Sequence, residues 1–153
     1  LAEALFNYNC FMKDFLFLGK PLRRGRSFPL FLARAFIALM MLLHGFSKLL
    51  AFRELAGNFP DPLGVTPVVS LLLSILAEVG CSLLLLLGIF TRLATIPLIF
   101  NMIVAIWVIH GEDPFQIKEL GILYLAFYIL FFWLGGGRYS LDYIFFWKKK
   151  CRV

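Results

Sequence analysis

The chain is predicted to be an all-α integral membrane protein, a bundle of four antiparallel transmembrane helices. Two observations lead there. Of its 153 residues, 61% are hydrophobic, with a mean hydropathy of +0.89, and soluble domains are apolar over only about half their residues. The apolar residues also fall into four long blocks joined by short polar connections. Each block is long enough to cross roughly 30 Å of hydrocarbon at 1.5 Å per residue.

Residues 1–27 form an N-terminal segment in which Leu5–Leu18 mixes Phe and Leu with a few polar groups, as an interfacial helix does. They do not read as a signal peptide, because the basic cluster Lys20, Arg23, Arg24 and Arg26 follows the apolar stretch instead of preceding it. The membrane domain, 28–134, holds spans at Phe28–Leu50, Thr66–Phe90, Leu93–Ile109 and Ile117–Leu134. Ala51–Val65, with Gly57, Pro60, Pro62 and Gly64, is the longest connection; Thr91-Arg92 and Gly111-Glu112-Asp113-Pro114 are tight turns. Short loops between neighbouring spans imply up-down-up-down order. In the tail, 135–153, three glycines break the fourth span and Ser140 caps a short helix rich in Tyr143, Phe145, Phe146 and Trp147. These aromatic residues suit the headgroup layer, and the lysines after them suit anionic lipid.

Lys and Arg set the direction. They cluster before span 1, at Arg92 and after span 4, including Arg138 and Lys148–Lys150, whereas the loops on the opposite side contain only Arg53. Both termini are expected in the cytoplasm of a bacterial-type plasma (inner) membrane. The net charge of +6 is therefore assigned to lipid surface, and no nucleic-acid partner is expected.

Cofactor chemistry has little to work with in this sequence. Cys10, Cys81 and Cys151 are far apart, without C-x-x-C or metal-ligand spacing. No C-x-x-C-H haem site or strand-linked G-x-G-x-x-G is present, so no haem, flavin or metal is expected. A haem between His44 and His110 is disfavoured by their depth difference of roughly 10 Å.

The spans are interrupted by ionisable and polar groups, and these carry the functional argument. Helix rise places Lys48, His44, Glu78, Asn101 and Glu119, from four helices, in the outer half of the bundle, with His110 at the outer surface. Lys48 and His44, four residues apart, share one face of span 1. Ser70, Ser74, Glu78 and Ser82 repeat every four residues in span 2, a stripe suited to a packed interface. A charged residue at a helix centre costs about 2.5–3.5 kcal/mol, whereas an interhelical hydrogen bond returns about 0.6–2 kcal/mol. Structural glue alone is thus an inefficient reason to bury a carboxylate. Glu78 and His44 are the catalytic candidates, and Lys48, Asn101, His110, Glu119 and Tyr124 the candidates for binding. Arg34 and Arg92, near the cytoplasmic interface, read as topology and headgroup anchors, alongside Arg138 and Asp142 as structural residues.

"HGFSKL" after Arg34, then "AEVGCSLLLLLGIFTR", His110, Glu119 and "GGGRYSLD", in that order from Arg34 to Asp142, resemble the DoxX family of small four-span membrane proteins. The resemblance implies a likeness to the small membrane subunit of a thiosulfate:quinone oxidoreductase and to membrane redox or oxidative-stress complexes. A quinone-linked role follows, with His44 and Lys48 donating to quinone oxygens, Glu78 exchanging protons, Tyr124 and Tyr128 against the ring, and electrons supplied by a redox partner protein or larger complex. The alternatives are a non-catalytic assembly or lipid-binding subunit and a small proton-coupled transporter. A homo-oligomer is compatible with each.

Overall fold

A computed structural model describes residues 24–62 and 64–147. It is all-helical, with no strand among the described residues. Helix α1 is Arg24–Leu50, α2 the single turn Phe52–Leu55, α3 Pro67–Leu87, α4 Thr91–Ile109 and α5 Phe115–Leu134. A π-helical turn, Tyr143–Trp147, follows. Four helices, α1, α3, α4 and α5, are long and apolar enough to cross a membrane. The expected N-terminal interfacial helix and the terminal lysines lie outside the described residues.

Local chemistry sets the helix ends. Thr66 caps α3 by accepting from the Val69 amide at 3.3 Å, and Pro67, which has no N–H to leave unpaired, occupies the first position. Gly88 closes α3 in the left-handed region at φ 69°, and Gly135 follows α5 at φ 71°. A side chain is strained at such angles, so glycine is the natural residue at both stops. Thr91 and Arg92, expected in a turn, instead open α4, and the turn is Gly88–Phe90.

In sequence order α1 packs on α3, α3 on α4 and α4 on α5, whereas α1 and α5 meet over only a short stretch. Ile37, Met41, Leu85, Leu98, Ile106, Tyr128 and Phe131 fill the centre. The outward faces carry Phe36, Leu43, Leu76, Phe100, Trp107 and Trp133, all exposed as lipid-facing residues are. The 51–66 and 110–114 connections share one end of the bundle; the 88–90 turn and the 135–142 segment share the other.

Two of the spans depart from α-helical geometry. Leu76–Cys81 of α3 and Val104–Ile109 of α4 are π-helical, the second ending in a bond from the His110 amide to the Ala105 carbonyl at 3.0 Å. The first explains the serine stripe. Residues four apart drift about 40° per step around a straight α-helix, so Ser70 and Ser82 would diverge. The wider π turn between them offsets that drift, and Ser70, Ser74, Glu78 and Ser82 are all buried.

Candidate functional site

Three polar side chains in the half of the bundle nearer the 51–66 connection, Lys48, Ser74 and Asn101, meet on Glu78. It stands inside the π segment of α3 and is 3% exposed. Its Oε1 accepts from Lys48 Nζ at 2.5 Å, Asn101 Nδ2 at 2.9 Å and Ser74 Oγ at 3.3 Å. Lys48 also donates to Ser74 Oγ at 2.9 Å and lies 5.8 Å from the Phe59 ring centre. Thus α1, α3 and α4 are tied together through one carboxylate oxygen. The other oxygen, Oε2, is buried without a hydrogen-bond partner.

Gly45 makes the approach of α1 to α3 close at this point. A Cβ there would sit 2.7 Å from Val79 Cγ2 and 3.0 Å from Glu78 Cβ. Only a residue without a side chain lets α1 come this near.

Beside the cluster, between α3 and α4, is a pocket of about 210 Å³. Lys48, Glu78, Asn101 and Ser74 give it one polar wall, and Leu73, Pro97, Phe100 and Val104 apolar ones. Phe59 and Pro62 of the 51–66 connection stand at its end, while Leu73 and Phe100 are exposed on the outer face of the bundle. The pocket therefore opens sideways toward lipid. Both π segments border it, through Ala77 and Glu78 on one side and Val104, Ala105 and Ile109 on the other. Such π turns occur disproportionately at functional positions.

The remaining candidates stand elsewhere. His44 does not face Glu78. It is exposed on the flank of α1 turned toward α5, its ring edge-on to Tyr124 at 6.0 Å between centroids. Residues four apart differ by about 40° around the helix, and that rotation, with the shorter reach of imidazole, turns His44 toward α5. Tyr124 and Tyr128 are core residues stacked on each other at 6.1 Å, not pocket walls. His110 is held by Asp113, Nδ1 to Oδ2 at 2.6 Å, in the 110–114 turn. Glu119 is exposed on the outward side of α5.

Arg34, Arg92 and Asp142 build a second cluster at the opposite end, and the two arginines turn inward, not toward headgroups. Arg34 is fully buried and donates to the Gly136 carbonyl at 2.5 Å and the Tyr139 carbonyl at 2.8 Å, with Asp142 as its counter-charge. Breaking α5 at the glycines leaves these carbonyls without helical partners, and the guanidinium fork supplies donors. Arg92 donates to the Trp133 carbonyl at 2.8 Å. Asp142 accepts from the Phe90 and Thr91 amides, at 2.8 and 3.1 Å, capping α4 with a carboxylate where the helix dipole favours one. Ser140 Oγ accepts from the Tyr143 amide at 3.2 Å, and Arg138 lies 6.0 Å from the Tyr143 ring centre.

Comparison with known proteins agrees with this architecture. The DoxX family model matches residues 29–111, more than half of the chain. The chain belongs to the DoxX family. An uncharacterized protein of Haemophilus influenzae is 36% identical over 133 residues, covering 78% of this chain and 94% of the relative. No solved structure matches. As a DoxX protein with four membrane-spanning helices, it is a multi-pass membrane protein. The matched region contains the whole Glu78 cluster, whereas Glu119 and Gly135–Asp142 lie beyond it.

Sequence reasoning omitted Ser74, Phe59, Pro97 and Gly45 from the site. Ser74 was marked by its place in the serine stripe, and Pro97 by being a proline inside a span. Nothing in the order of residues signalled that the 51–66 connection folds Phe59 over Lys48.

Proposed function

We propose that this DoxX protein is a quinone-linked membrane subunit that takes a quinone headgroup into the pocket between α3 and α4. The observation that carries the reading is a lipid-facing pocket whose polar wall is an ion pair with one carboxylate oxygen unpartnered. About 210 Å³ is below the 300–1,000 Å³ typical of drug-sized ligands, which suits a ring whose isoprenoid tail stays in lipid. Lys48, the cation of this wall, is already neutralised by Glu78, which favours an uncharged headgroup over an anionic one. Lys48 and Asn101 are the donors available to quinone oxygens, and Glu78 is the group able to hold or release a proton beside them. Electrons reach the site from a partner protein or the quinone pool.

The test is quinone content. Protein purified in mild detergent and extracted with organic solvent should yield co-purifying quinone, reduced at least tenfold in Glu78→Gln and in Lys48→Met. Equal quinone in wild type and both variants refutes the reading.

One observation favours a second reading, a non-catalytic assembly or lipid-binding subunit: Oε1 of Glu78 is saturated by three direct donors from three helices, as a structural tie would be. Under that reading the variants lose stability without any change in bound quinone.

The Lys/Arg distribution further supports both ends of the membrane domain facing the cytoplasm of a bacterial inner membrane. Single cysteines introduced at Gly57 and at Tyr143 should then label from opposite sides; labelling from one side overturns the orientation.

A further inference from the structure

The pocket uses one side of the bundle and leaves the opposite side unexplained. There α1 and α5 meet only briefly, and α5 is the least covered span, with 17% of its most apolar window buried against 33–44% in the others. Its outward face is not uniformly apolar. Gln116 and Glu119 project from it, and Glu119 forms no hydrogen bond or ion pair among the described residues. Around them lies a shallow concavity of about 470 Å³ lined by Phe115, Leu120, Leu123 and Ala126. A carboxylate facing acyl chains without a partner is costly, so such groups are ordinarily met by another polar group.

A complementary group lies within about 3 Å of the same depth. His44 is exposed on the flank of α1 that adjoins α5, resting on Tyr124. It is six residues from the end of α1, about 9 Å down, and Glu119 is four residues from the start of α5, about 6 Å down, measured from the same end of the bundle. Within one chain they do not pair.

We propose that this surface binds a second copy of the chain, Glu119 of each subunit meeting His44 of the partner subunit. A two-fold axis along the membrane normal brings residues of equal depth together and makes every contact twice. Helix α5 of each subunit enters the loosely packed α1–α5 side of the other, which covers the least buried span. The interface involves neither Lys48 nor Glu78, so it stands independently of the quinone reading.

The experiment counts subunits of the full chain in lipid vesicles at varying protein-to-lipid ratio, by single-molecule photobleaching. Wild type should be dimeric. Glu119→Leu and His44→Leu should each weaken association at least tenfold while keeping the monomer's thermal stability, because leucine suits lipid. The exchanged double variant His44→Glu/Glu119→His should regain wild-type association. A monomeric wild type, single variants that dimerise like wild type, or an exchanged variant no better than the singles overturns the proposal.

Discussion

Replacing Lys48 by Met tests whether the Lys48–Glu78 pair holds α1 to α3. Methionine keeps the apolar stem and removes the charge and its donors. The variant leaves Glu78, 3% exposed, with Asn101 and Ser74 as its remaining donors. Stranding one member of a buried ion pair costs about 3–5 kcal/mol. The Lys48 side chain is 30% exposed beside a pocket, so the interaction is partly screened and the expected loss falls to about 2–3 kcal/mol. Glu78→Gln in the Lys48→Met background removes the stranded charge while keeping a polar group of similar shape, and should recover at least about 1 kcal/mol. The assay is a double-mutant cycle on reversible unfolding from mixed micelles, with helicity confirming the folded baseline. A loss under about 0.5 kcal/mol in Lys48→Met, or strict additivity in the cycle, refutes the reasoning, since independent residues add within about 0.3–0.5 kcal/mol.

Two further substitutions probe the packing around this pair and at the opposite end. Gly45→Ala puts a methyl 3.0 Å from Glu78 Cβ and 3.2 Å from the Glu78 backbone, which flexible side chains cannot absorb. It should force α1 from α3 and cost about 1–3 kcal/mol, read as a lowered midpoint in the same unfolding assay. Asp142→Ala removes the carboxylate that caps α4 and balances Arg34. It should cost about 2 kcal/mol or more and speed hydrogen exchange at the Phe90 and Thr91 amides, whereas Asp142→Asn, which can still accept one hydrogen bond, should retain part of both.

The four spans were legible because hydropathy and length are direct consequences of burying backbone in lipid. The convergence of Lys48, Glu78 and Asn101 was legible for a related reason: polar groups at similar depth have few places to go except toward each other. His44 shows the limit of that reasoning. Sharing a face with Lys48 left about 40° of rotation unspecified, enough to send one side chain to α3 and the other toward α5. Tyr124 and Tyr128 were set against a ring as part of the quinone-linked role, but an aromatic pair four residues apart equally describes a core stripe, and the core took them. Arg34 and Arg92 looked like headgroup anchors from depth alone. What redirected them was the set of carbonyls exposed where the glycines end α5, a tertiary feature with no counterpart in span 1 or span 3. The π turns were hidden as well, although a four-residue polar repeat that stays buried from Ser70 to Ser82 is what a widened helix makes achievable.

The two ends of the bundle solve the problem of buried charge in opposite ways. At the 88–90 end, Arg34, Arg92 and Asp142 are bonded to backbone groups of other segments. Backbone partners cannot swing away, so helix ends and the 135–142 segment are locked in register. At the 51–66 end, Glu78 is met by side chains of Lys48, Ser74 and Asn101, which can change rotamer, and the neighbouring backbone is π-helical, not α-helical. Preorganised rigidity and adaptability are thus separated along the same helices. Lys48 is fourteen residues from Arg34, about 21 Å along α1. A ligand that draws Lys48 away from Glu78 therefore disturbs one end of α1 while the latch at the other end keeps the bundle assembled. That division is what a site needs if it must exchange partners inside the membrane without unfolding the protein that holds it.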